Sequence, residues 1–127
     1  MVDNLLNTLY NRGKFAIPVA MPNRTFTPPN VGMWAKFQLM PTSTTRGNLC
    51  DIEHKGILQI TLFVPIGTNT DLIDAKANAI VNHFGTELAH NVLDHNLLIM
   101  SSHKETAMPD SDGKWFMQPI SIEYEVI

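Results

Sequence analysis

"HKGILQITLFVPIGTNTDLIDAKANAIVNHF", residues 54–84, changes its hydrophobic period midway, and that change decides the fold class. Leu58, Ile60, Leu62 and Val64 alternate with Ile57, Gln59, Thr61 and Phe63, the period of two that a strand imposes. Both alternating sets are largely apolar, so this strand belongs in the middle of a sheet. Beyond Pro65 the period lengthens: Ile73, Ala77, Ile80 and Phe84 fall at 0, 4, 7 and 11, with Asp71, Asp74, Asn78 and Asn82 on the opposite side of a helix. Thr68 or Thr70 is expected to cap its start, the two aspartates suit its positive end, and Gly85 suits its termination. A central strand running into an amphipathic helix calls for helices layered on a sheet.

Upstream, Val2, Leu5, Leu6, Leu9 and Tyr10 form a helical stripe that Gly13 is placed to stop. "FAIPVAMPN", residues 15–23, alternates but carries two prolines that cannot donate to a ladder, so it reads as an edge strand or an extended arm. In residues 33–41 Met33, Ala35, Phe37 and Leu39 take one face and Trp34, Lys36, Gln38 and Met40 the other, a half-buried strand fenced by Pro28-Pro29 and Pro41. Residues 42–55 read as a long polar loop, residues 86–96 leave room for another helical turn, and residues 96–107 and 114–127 read as strands joined by a turn at 108–113. In the last strand Phe116, Ile120, Ile122, Tyr124 and Val126 share a face opposite Ser121, Glu123 and Glu125. The expected architecture is α+β: a mostly antiparallel sheet of four to five strands with two helices on one face, in a single domain spanning residues 1–127.

The chain of 127 residues is long enough to bury a core without disulfides, and its lone cysteine, Cys50, excludes an internal one. Charged residues make up only 17% and the formal net charge is −3 with scattered Lys and Arg, so no basic footprint for nucleic-acid phosphates is visible. A low charge content leaves the surface neutral and polar, or hidden in an assembly. The N-terminus lacks a secretory pattern and no run of apolar residues is long enough to span a bilayer, so synthesis and folding in a cytosol, with no membrane partner, are expected.

Chemistry-bearing residues are sparse. His83, Glu87, His90 and Asp94, at 0, 4, 7 and 11, would line one face of an unbroken helix and hold a metal, but Gly85 interrupts that helix. Cys50 and His54 place a thiol near a base, yet Asp51 and Glu53 between them oppose a thiolate. Ser101, Ser102 and His103 are adjacent on a strand, where neighbours point to opposite faces. No nucleophile elbow, phosphate loop, dinucleotide glycine run or paired-cysteine metal motif occurs, so neither a catalytic set nor a cofactor is expected. Trp34 and Trp115 lie opposite the presumed core faces of their strands, where a tryptophan either packs under a loop or anchors an interface. Arg46, Asp51 and Glu53, in the long loop, are suited to polar contacts between subunits.

The order of these features resembles a family of small bacteriophage tail proteins. The residues that carry the likeness are Thr25 to Pro29, Gly56 to Gly67, the helix to Phe84, and Trp115 to Tyr124, so it spans nearly the whole chain. The family is similar to the tail terminators of long, non-contractile-tailed phages. That resemblance implies a hexameric ring at the head-proximal end of the tail tube, in the virion. Such a ring stops addition of tube subunits and presents a surface to the head connector, while DNA passes through its lumen without specific binding. Its partners are copies of itself, the tube protein and the connector, and no bond is made or broken. Candidate contact residues toward subunit or tube are then Trp34, Arg46, Asp51, Glu53 and Trp115. Rival readings are another neck connector or a tube subunit, a small metal-dependent enzyme built on His83, Glu87, His90 and Asp94, and a monomeric binding module.

Overall fold

A computed structural model describes residues 2–21, 25–29, 32–41 and 55–126. Two helices, α1 (Val2–Arg12) and α2 (Thr70–Phe84), accompany seven strands: β1 (Val19–Ala20), β2 (Trp34–Pro41), β3 (Lys55–Pro65), β4 (Leu88–Val92), β5 (His95–Lys104), β6 (Met108–Pro109) and β7 (Trp115–Val126). They form one sheet in the order β1-β2-β3-β7-β5-β4, with β6 paired to β7 beside that path. The α+β class stands, but four to five mostly antiparallel strands do not: the described residues form seven, and β1 runs parallel to β2.

Two local features account for the parallel pairing of β1 and for β4, while Met108 and Pro109, expected in a turn, pair with Met117 and Phe116 as β6. The edge reading of residues 15–23 holds for Val19 and Ala20, which pair in parallel with Ala35 and Lys36 between Pro18 and Pro22. The segment after α2 continues as a hairpin and adds no helical turn. Gly85, at φ +77°, ends α2, and Leu93 and Asp94, both at positive φ, form the tight two-residue turn between β4 and β5. A positive φ at such residues is what a type I′ turn demands, and it matches the twist of the flanking strands.

The central position of β3 follows from its apolar faces: β2 flanks it on one side and β7 on the other, with Leu58, Ile60, Leu62 and Val64 all in the core. Both helices pack against that face. Leu5, Leu6, Leu9 and Tyr10 of α1 and Ile73, Ala77, Ile80 and Phe84 of α2 join one buried cluster with Phe37, Leu97, Ile99, Ile120 and Ile122. Tyr10 sits edge-on to Phe37 at 4.8 Å between centroids, and burial pushes its phenol up to about 12. In β5, Ile99 and Ser102 both face the helices although they are three residues apart. The register shift between Ile99 and Ser101 absorbs the odd residue as a bulge. Past the bulge Ser102 Oγ donates to the Val81 carbonyl at 3.2 Å, and the Lys104 ammonium meets Asp74 at 2.7 Å, tying β5 to α2.

The cap of α2 is Asn69, where Thr68 or Thr70 was expected. Its side-chain oxygen accepts from the Asp71 amide at 3.0 Å. Asn69→Ala is therefore expected to cost about 1 kcal/mol, read as a lower urea midpoint with an unchanged slope.

Candidate functional site

Both helices cover one side of the sheet, and among the described residues no helix covers the other. It is built from alternate residues: Trp34, Lys36, Gln38 and Met40 of β2, Ile57, Gln59, Thr61 and Phe63 of β3, and Trp115, Met117, Pro119, Ser121, Glu123 and Glu125 of β7. At one end of this face lies an aromatic cluster. Trp34 stacks on its cross-strand partner Phe63 at 4.2 Å, stacks on Phe26 at 5.2 Å, and meets Trp115 edge-on at 5.6 Å. Trp34 is 8% exposed and Phe63 9%, packed among these rings with no helix above them among the described residues. One polar atom is stranded there: the Trp34 indole Nε1 is buried and has no acceptor among the described residues. A buried donor without a partner costs about 1–3 kcal/mol.

The other end of the face is an open groove lined by Lys55, Ile57, Met100, Glu123 and Glu125. The Lys55 ammonium lies 3.9 Å from the Glu125 carboxylate, and Met100 is 45% exposed on the β5 bulge. Between the two zones the sheet is sealed locally. Ser121 Oγ donates to the Glu105 carboxylate at 2.5 Å, while on the opposite face Gln118 Nε2 donates to the Glu105 carbonyl.

Trp34 and Trp115, singled out from the sequence, are thus brought into one cluster. Arg46, Asp51 and Glu53, and with them Cys50 and His54, lie outside the described residues. The proposed metal set comes apart. His83 Nε2 bonds the Leu9 carbonyl at 2.6 Å, His90 Nε2 bonds the Phe84 carbonyl at 3.1 Å, and Asp94 sits in the hairpin turn. Among the described residues no cluster of three His, Cys, Asp or Glu is poised around a metal position. Ser102 faces the helices, away from His103, and among the described residues His103 is paired with Glu105 at 4.0 Å and with neither serine. Phe26 and Phe63 were not singled out as site residues. Phe63 is visible only once register sets it across from Trp34, and Phe26 only once the chain before β2 folds back over the sheet.

A family model described as phage tail terminator protein matches residues 3–124. A solved structure with 21% sequence identity superposes with a TM-score of 0.75, covering 99% of this chain and 92% of its own. At that identity the likeness shows the fold alone. No curated protein matches the chain.

Proposed function

The chain belongs to the phage tail terminator family, a family of structural proteins of the virion, and on that premise we propose that it forms a ring that ends the tail tube. The ring caps the head-proximal end of the tube, stops further addition of tube subunits and offers its far side to the head connector. The observation that supports this reading is the helix-free face, where a cluster of four aromatic rings carries a buried indole donor with no acceptor among the described residues. Aromatic rings gathered next to a partly open sheet are the usual makings of a protein contact, and they offer nothing to a bond-breaking reaction. Trp34 and Trp115 are the residues assigned to it, and the polar residues Arg46, Asp51 and Glu53 complete the set on sequence grounds.

The test is assembly itself. Light scattering over a concentration series, followed by negative-stain imaging of the largest species, is expected to show closed rings of about six subunits. Added to polymerising tube protein, the chain is expected to hold tubes at finite length with a ring at one end. Tubes that lengthen regardless, or incorporation of the chain along their length, would overturn the reading in favour of a connector or a tube subunit.

A further inference from the structure

The link between α1 and β1, residues 13–18, holds its backbone in a conformation that its sequence disfavours. Lys14 has φ +51° and Ala16 φ +60°, left-handed values on two residues that carry a Cβ, one on each side of Phe15. We propose that α1 is a strap that leaves the sheet as a unit, hinged on residues 13–17 and latched by Phe15, while α2 and the sheet stay folded. This device stands apart from the ring reading and does not rest on it.

Phe15 is what keeps the link in this shape. Its ring is buried, packs on Tyr10 at 5.0 Å between centroids and meets His83 edge-on at 5.5 Å. Its carbonyl accepts from the Lys76 ammonium at 3.0 Å. The ring folds back onto the link itself, so closely that a methyl group on Gly13 would overlap it. Past the link the chain is fixed again, because the Pro18 carbonyl accepts from the Ala35 amide at 2.9 Å and β1 pairs with β2. The left-handed residues are thus trapped between a docked ring and an anchored strand.

A second, independent cost sits in the helix. The Tyr10 hydroxyl is buried with no partner among the described residues, so docking takes it out of water without returning a hydrogen bond. Opening gives water back to this hydroxyl and lets Lys14 and Ala16 relax. It also breaks the bonds of His83 to the Leu9 carbonyl and of Arg12 to the Asn91 carbonyl, and it exposes Leu5, Leu6, Leu9 and Tyr10. Burial of those four side chains keeps the strap closed at equilibrium. The strained link and the stranded hydroxyl lower the free energy of opening below that of unfolding the whole domain.

What remains in the open state holds together without α1. The ladders of the sheet use none of its residues, and α2 keeps its own ties to β5 through Ser102 with the Val81 carbonyl and Lys104 with Asp74. What opening uncovers is the helix-facing side of β2, where Tyr10 stands edge-on to Phe37. The closed strap therefore masks an apolar strip of the sheet that the open one presents.

Amide hydrogen exchange of the full chain, read residue by residue, tests this. The amides of residues 6–12 are expected to exchange together, on the order of a hundredfold faster than those of α2 and β3 after correction for intrinsic rates. Ala16→Gly and Tyr10→Phe are each expected to slow exchange in α1 about fivefold, the first by removing the strained Cβ and the second by removing the stranded hydroxyl. Glycine ordinarily loosens a chain, so a slowing by glycine is diagnostic of relieved strain. Gly13→Ala is expected to speed exchange in α1 about tenfold by displacing the Phe15 ring. Should that variant fail to fold, the glycine and phenylalanine variants still decide. Asn69→Ala, which weakens α2, is expected to speed exchange in α2 and leave α1 unchanged, since α2 is intact while the strap is open. Amides of α1 that exchange only in step with α2 and β3, or that neither Ala16→Gly nor Tyr10→Phe slows, would overturn the device.

Discussion

Phe84→Ala is expected to lower the unfolding free energy by about 3–5 kcal/mol, among the largest losses any described side chain should show. Phe84 is the last residue of α2, fully buried, and shares the core with Leu5 and Leu9 of α1 and Ile99 of β5. The loss has two parts: the ring is no longer removed from water, and the surrounding core closes the space it leaves only in part. Set against a typical stability of about 5–15 kcal/mol, such a change leaves a marginal fold. Urea unfolding followed by fluorescence of Trp34 and Trp115 measures it. A loss under 1 kcal/mol would mean that α2 is not fastened to the sheet at this point.

Two substitutions of Trp34 should differ greatly in their cost. Trp34→Ala deletes the ring between Phe26, Phe63 and Trp115 and is expected to cost about 3–5 kcal/mol in the isolated subunit. Trp34→Phe keeps most of the stack and removes the stranded Nε1 donor, so its cost is expected to stay under about 1.5 kcal/mol in the subunit. The diagnostic readout is assembly. If a neighbouring subunit or the tube supplies the acceptor, Trp34→Phe should leave subunit melting nearly unchanged and shift ring formation to higher concentration. An unaffected assembly curve would restrict Trp34 to packing within one subunit.

Trp34 also shows how far a period can be read. The alternation in residues 33–41 placed it opposite Ala35 and Phe37, and the structure agrees, but alternation cannot say what lies across a strand gap. Phe63 had the same standing from its own strand. Only the β2–β3 register made the two a stacked pair, because register depends on where two distant segments meet. The metal reading failed for a related reason. The spacing of His83, Glu87, His90 and Asp94 means something only on a continuous helix, and a backbone turn at Gly85 and Glu87 sent the second half into a strand. Gly85 was the available signal, and it was read as a terminator of α2.

Local sequence by itself determined the two helices, the central place of β3, the helix-facing stripe of β7 and the edge character of the segment around Pro18. Each is encoded by a hydrophobic period or by proline within a few residues. Tertiary structure alone decided the sheet order, the parallel pairing of β1, the β5 bulge, and the gathering of Phe26, Trp34, Phe63 and Trp115. Those depend on which strands become neighbours and in what register, a choice made by burying one shared core and not by any single segment.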